Sequence, residues 1–309
     1  MNRVLVTGAT GLIGRNTIPP LLAAGHEVHA IARSGGGDEA GAHWHSVDLL
    51  DGDAVGELVD AVKPEGLVHL AWYAEHGRFW SSPENLRWVG ASLELLRLFA
   101  ENGGQRAVMA GTCAEYDWDA VAAGPEGPSV LREDVSPVRP RTLYGTSKHA
   151  TRLVASAFAA QAGVQLAWGR VFFLYGPGEQ PGRLVPAIAR GLLDGERVAT
   201  SDGGQLRDFM HVRDVGAAFA ALLDSGVEGP VNIATGAALP VRALIEAIAA
   251  EVGHPELLEW GALRRPDGDP DALVADVARL RDEVGFAPAV PLAAGVRETV
   301  EWWRGHLDG

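Results

Sequence analysis

Cysteine is nearly absent from this 309-residue chain: Cys113 stands alone, which excludes an intramolecular disulfide. Positive charge is scarce as well, with 26 Lys and Arg against 40 Asp and Glu and a formal net charge of −14. Surfaces that hold nucleic acid or anionic lipid collect cations against phosphate, so a general surface of that kind is excluded and only a local basic pocket remains open. No segment approaches the roughly 20 uninterrupted apolar residues of a membrane-spanning helix. Met1 leads almost directly into Val4-Leu5-Val6, without the basic and apolar segments of an export signal, so a reducing cytoplasm is the expected location. There is no repeat of fixed period, no low-complexity tract, and no His/Cys/Asp cluster with metal-ligand spacing.

What is present is the composition of a globular protein, 47% hydrophobic and 21% charged. The length suits one large domain or two unequal lobes. Short β-type runs alternate with helical patterns: VLVTG (4–8), a helix over 12–24, HEVHAIA (26–32), WHSVDL (44–49), a helix over 53–62 and GLVHLA (66–71). A helix over 83–102, RAVMAG (106–111), an irregular stretch over 117–140, a helix over 142–161 and QLAWGRVFF (165–173) continue the pattern. Such alternation predicts an α/β fold, a Rossmann-type doubly wound parallel sheet with right-handed crossovers. Residues 1–173 form the expected dinucleotide-binding domain, completed by about 206–234. After Gly176 the pattern loosens, with helices over 184–194, 241–252 and 291–306, and predicts a smaller C-terminal α/β lobe (174–309) that closes over what the sheet binds.

GATGLIG (8–14) sets Gly8, Gly11 and Gly14 at three-residue intervals between the first strand and the first helix. Glycines there allow a tight turn and close approach of backbone to a pyrophosphate, so Gly8, Thr10, Gly11, Leu12, Ile13 and Gly14 are expected to hold a dinucleotide. An acid that would grip the adenosine ribose of NAD belongs at the end of the second strand. Arg33 and Ser34 stand there instead, and Asp38 and Glu39 follow only after a Gly-rich turn. A 2′-phosphate suits that position, so NADP(H) is expected in preference to NAD(H). Asp48 is a candidate for the adenine amino group, or for capping the next helix. Leu49, Leu70, Ala71 and Val171, at other strand ends, complete the expected cofactor contacts.

TLYGTSKHA (142–150) places Tyr144 and Lys148 four residues apart, on one face of a helix. With the glycine loop, Thr112 after the fifth strand and RDFMHVRD (207–214), this pair resembles the extended short-chain dehydrogenase/reductases, the sugar-nucleotide epimerase, dehydratase and reductase family. The resemblance covers nearly the whole chain and implies a catalytic Thr112, Tyr144 and Lys148. Hydride transfer at carbon must be matched by proton transfer at oxygen. A free phenol, with a pKa of about 10, is too weak a base near neutrality. A lysine ammonium on the same helix face stabilises the phenolate, and the resemblance implies that Lys148 also donates to the nicotinamide ribose. Thr112 would orient the substrate oxygen.

Relatives that dehydrate hexoses carry an acid directly after this Thr. Cys113 and Ala114 follow here, which disfavours elimination, and Cys113 is misplaced for carbanion epimerisation; a small buried residue is its expected role, though it adjoins the substrate. Two hydride-only reactions remain: an NADPH-dependent ketoreductase, favoured by Arg33, and an epimerase that oxidises, turns and re-reduces its sugar. A non-catalytic cofactor sensor is the third reading. By resemblance, Arg207 and Arg265 would contact a nucleotide diphosphate, with Arg183 as a third candidate, since a guanidinium donates two hydrogen bonds in a plane. Glu115 is a further candidate contact, or a solvated surface acid. Phe173 stands where many relatives have Asn. Trp72, Trp80 and Trp118 are candidate stacking faces or core residues, and His211 is expected to be structural. The expected partner is a nucleotide-diphosphate sugar, and the resemblance implies a homodimer paired through the helices at 83–102 and 142–161.

Overall fold

Val4, Leu5 and Val6 form an apolar run without alternation, as in a strand buried on both faces. In the computed structural model, strand β1 (Arg3–Thr7) lies inside a seven-stranded sheet, with Val4 and Val6 facing one layer of helices and Leu5 the other. The described residues are 2–37, 41–120, 123–124, 127–128 and 130–307. Asp38 and Glu39, and part of the irregular stretch, lie outside them.

The other strands are β2 (Glu27–Ala32), β3 (His43–Ser46), β4 (Gly66–His69), β5 (Arg106–Thr112), β6 (Gln165–Val171) and β7 (Gly229–Ile233), in the order β7-β6-β5-β4-β1-β2-β3. Every neighbouring pair is parallel. The order reverses between β1 and β4, the switch point at which doubly wound sheets bind ligands beyond the strand C-termini. Helices α1 (Gly14–Ala23) and, from the second half of the chain, Val212–Asp224 cover one face. Helices α2 (Gly52–Val62), α3 (Glu84–Glu101) and α4 (Leu143–Ala162) cover the other. Three further helices, α5 (Leu184–Leu193), α7 (Val241–Val252) and α8 (Leu292–Arg304), gather around a separate core that includes Leu192, Ile245 and Trp303.

Helix α6 (Val212–Asp224) was not expected from the sequence. It buries nine of its thirteen residues and so shows little of the polar stripe by which a surface helix is read. It also carries Gly216, where a Cβ would come within 2.1 Å of the Asn16 carbonyl oxygen. Pro20, inside α1, has no N–H to return to that carbonyl. The α6 backbone takes up the space so opened. A second difference is at β6: the strand expected to reach 173 leaves the sheet at Val171. Phe173–Tyr175 pairs instead with Phe209–His211 in a two-stranded ribbon. Among the described residues, no helix is long and apolar enough to cross a membrane.

Candidate active site

The glycine loop joins β1 to α1 at the switch point. Gly8 has φ +65°, and a Cβ on it would lie 2.8 Å from the amide nitrogen of Ala71; one on Gly14 would lie 2.1 Å from the Gly8 carbonyl oxygen. The loop is therefore packed against the end of β4 with no room for side chains. Thr10 and Gly11 are exposed, and Leu12 and Ile13 are half-buried. Helix α1 has neither a side-chain cap nor an acid in its first turn. The amides of Arg15 and Asn16 already bond the Gly11 and Ile13 carbonyls, and the dipole of the helix fits an anionic diphosphate. Beneath the loop, the Thr7 hydroxyl meets His69 Nδ1 at 2.7 Å and accepts from the Leu70 and Ala71 amides, and His69 Nε2 meets Ser92 at 2.8 Å. Burial lowers the His69 imidazole to about 3, so this tie is neutral at physiological pH.

At the far end of the cleft Arg33 and Ser34 are exposed where β2 ends, and Leu49 is buried behind Asp48. Asp48 Oδ1 accepts the Leu50 amide at 3.0 Å, so it caps its own turn; the helix cap of α2 is Asp51. Val171 ends β6 beside Thr112 in register.

Helix α4 opens with Thr142, whose side chain accepts the Gly145 amide, and its first two turns carry Tyr144 and Lys148. Lys148 is buried; its Nζ donates to the Ala110 carbonyl at 2.8 Å and lies 3.9 Å from the centre of the Trp72 ring. Desolvation lowers it to about 7, with the Glu115 charge opposing. Tyr144 is half-buried, with Phe79 edge-on at 4.9 Å and Trp80 perpendicular at 5.7 Å. Burial pushes its phenol up to about 12, with the Thr112 hydroxyl acting the other way. Thr112, Tyr144 and Lys148 thus converge at the C-terminal edge of β5.

Glu115 and Trp72 are placed differently from their expected contacts, and Cys113 takes the buried place expected of it. Glu115 is neither solvated nor directed at a ligand: it is fully buried, its Oε1 accepting the Thr112 amide at 3.0 Å and Trp168 Nε1 at 2.8 Å, its Oε2 accepting Arg170 Nε at 3.2 Å. Cys113 lies in a core with Tyr116 and Phe172, and burial pushes its thiol up to about 12, so it offers no reactive group to a substrate. Trp72 is not a free stacking face. One side of it covers Lys148, and its Nε1 donates to Asn85 at 2.8 Å.

The arginines divide. Arg183 precedes the first turn of α5 without a side-chain capping bond, and its charge acts to lower the Tyr144 phenol. Arg207 is buried and donates to the carbonyls of Leu206 and Pro270 and to Asp269. Arg265 shares the Pro270 carbonyl and pairs with Asp271 at 3.1 Å. The two lie together around one acidic loop, and Phe173 packs under the Arg207 guanidinium at 5.4 Å. Trp118 donates its Nε1 to the Cys113 carbonyl and packs perpendicular to Trp80. His211 caps α6. Asn85 and Glu179 are buried polar residues that the sequence did not mark; Asn85 sits in the first turn of α3, where an Asn ordinarily reads as a capping residue.

Comparison with known proteins agrees with this fold. The model of the NAD dependent epimerase/dehydratase family matches residues 4–234. The chain is 28% identical to UDP-glucose 4-epimerase of Streptomyces lividans, over 99% of this chain and 98% of that protein. It is 26% identical to UDP-glucuronic acid decarboxylase 1 of Xenopus tropicalis, over 99% of this chain and 73% of that one. The solved structure of MoeE5 in complex with UDP-glucuronic acid and NAD superposes with a TM-score of 0.84 at 31% identity, covering 98% of this chain and 99% of that one.

Proposed function

Given that the chain belongs to the NAD dependent epimerase/dehydratase family, we propose that it reduces a keto group on a nucleotide-linked sugar, with hydride from NADPH and a proton from Tyr144. The observation that carries a hydride-only reaction is the sealing of Glu115. Elimination requires a further acid and base beside Thr112, and the carboxylate in that turn is consumed by Trp168, Arg170 and a backbone amide. Burial holds the Tyr144 phenol above its ordinary value, which suits a proton donor to a developing alkoxide and supports the reductive direction. Lys148, buried under Trp72, contributes a donor for the ribose of the nicotinamide, which supplies the hydride when bound.

The open N-terminus of α1 suits the diphosphate of the cofactor, and exposed Arg33 supports NADPH. NAD, seen in complex with MoeE5, is the competing assignment. It accompanies the epimerase reading, in which the sugar must turn over beside Tyr144; Phe79 and Trp80 crowd that ring and favour a single pose. Arg183, whose charge reaches the phenol, supports a diphosphate-linked substrate, held by the part of the chain after residue 173. The exposed Leu86 on α3 and Leu153 and Val154 on α4 support a dimer through these helices, checked by light scattering.

The test is NADPH oxidation with a set of nucleotide-linked keto sugars. Turnover should be at least several-fold faster than with NADH, and Tyr144→Phe should lower kcat by roughly 10²–10⁴-fold while NADPH affinity stays within a few-fold. Full activity in Tyr144→Phe removes the mechanism, and equal use of NADH with interconversion of sugar epimers makes the epimerase the correct reading.

A further inference from the structure

Asn85 is fully buried, and the groups around it fix which way its amide points. Trp72 Nε1 can only donate, so the atom facing it at 2.8 Å is Oδ1. The carbonyls of Phe79 and Ser82 can only accept, so Nδ2 faces both, at 2.8 and 2.9 Å. Both N–H groups and the oxygen are therefore engaged.

Each arm of this amide ends on one half of the catalytic pair. Through Trp72 it fixes the ring on which the Lys148 ammonium rests, 3.9 Å from the centroid. Through the turn at 79–82 it fixes Phe79 and Trp80, whose rings pack on Tyr144, and the Trp80 carbonyl, which accepts the Tyr144 amide at 3.1 Å. We infer that Asn85 and Trp72 form a positioning clamp that holds Tyr144 and Lys148 in mutual register from outside their own helix. The clamp rests on the proposed catalytic role of the pair and adds two residues that touch no reacting atom.

The ring of Trp72 stabilises the ammonium over the neutral amine, by cation–π attraction that grows as water is excluded. Glu115 acts on Lys148 in the same sense, while Lys148 itself lowers His69. Around Tyr144 the charged or titratable neighbours are Cys113, Glu115 and Arg183. None of these lies on Trp72 or on the 79–82 turn, so changes to the clamp leave them in place.

The experiment reads the two arms separately and needs no substrate. The chain has two lysines, Lys63 and Lys148, and four tyrosines, so isotope-labelled side-chain nitrogens of lysine and ring carbons of tyrosine give few signals. Lys148→Met and Tyr144→Phe assign them. Trp72→Leu should move the Lys148 titration midpoint down by roughly one pH unit, and Trp72→Phe should restore most of it, because the ring is what stabilises the cation. Asn85→Leu removes both donors to the turn without adding a titratable group. It should move the Tyr144 midpoint toward the ordinary phenol value of about 10. Circular dichroism confirms that each variant is folded. A folded Trp72→Leu with the wild-type lysine midpoint, or a folded Asn85→Leu with the wild-type tyrosine midpoint, overturns the clamp. Calorimetry of the wild-type protein with NADPH and NAD is read independently: failure to bind either overturns the proposed function and leaves the two titrations to decide the clamp.

Discussion

Glu115 and Glu179 are both buried carboxyls, and the protein treats them in opposite ways. Glu115 accepts from an amide, an indole and a guanidinium, with Arg152 a further 3.8 Å away. Glu179 is 5% exposed, its buried Oε2 accepts no hydrogen bond from the described residues, and burial raises it to about 7 with Arg183 opposing. A buried ion with its bonds complete is architecture, because the cost of dehydration is offset by neighbours that are already in place. A buried carboxyl without them is a standing cost. That cost sits in the loop over 176–183, which also carries Arg183 and is tied to α1 by Arg15 through the Pro177 carbonyl. The Glu115 carboxylate itself is thus fully bonded, although Nη1 of Arg170 beside it has no partner among the described residues. Glu179 has an unmet oxygen of its own, in the loop that ends at Arg183.

The sharpest way to break this contrast is to remove Glu115. Glu115→Leu leaves Arg170 buried without its carboxylate and frees the Thr112 amide, and should destabilise the fold by about 3–5 kcal/mol in urea denaturation. A loss under about 1 kcal/mol would mean that the cluster does not hold the turn after β5. Glu179 gives a smaller and pH-dependent effect of defined sign. Its folded value of about 7 lies above the ordinary carboxyl value, so between roughly pH 4.5 and 7 the folded chain keeps a proton that the unfolded chain has lost. Stability should therefore fall as pH rises through that window, by up to a few kcal/mol, and Glu179→Gln should flatten the slope. Urea midpoints at pH 5 and pH 7.5 for the two proteins decide it. Parallel curves would place the Glu179 carboxyl in water or in a bond.

Different physics explains what could and could not be read beforehand. The sheet was legible because runs such as VLVTG and RAVMAG are apolar on both faces, which few other structures tolerate. The glycine loop and the Tyr144/Lys148 pair were legible because their spacing is local and each position has a steric or electrostatic reason. Helix α6 was not, since a helix buried on nearly all sides has no period to detect, and Gly216 argues against a helix until its contact with Asn16 is known. The site residues that were misread depend on direction, which sequence does not carry. Glu115 follows Thr112 by three positions and was read as a substrate contact or a solvated acid, yet the short turn over Cys113–Glu115 buries it. Trp72 was read as a loop aromatic, and its partners Asn85 and Lys148 lie 13 and 76 positions away. Arg207 and Arg265 were read as contacts to a nucleotide diphosphate, and in the structure Asp269, close to Arg265 in sequence, pairs with both.

A third acidic pair supplies the baseline against which the two buried carboxyls are judged. On the surface of α3, Arg97 bridges Glu94 and Glu101 at 2.6 and 2.5 Å, with bond geometry as good as that of Glu115. All three side chains are two-fifths exposed or more. Water solvates the charges whether or not they meet, salt screens them, and two long side chains lose freedom to hold the bridge. Arg97→Ala should accordingly lower Tm by no more than roughly two degrees, the smallest effect of the three. A drop comparable with that of Glu115→Leu would show that bond geometry, and not the removal of water, sets what a carboxylate contributes in this fold. The contrast between Glu115 and Glu179 would then need another cause.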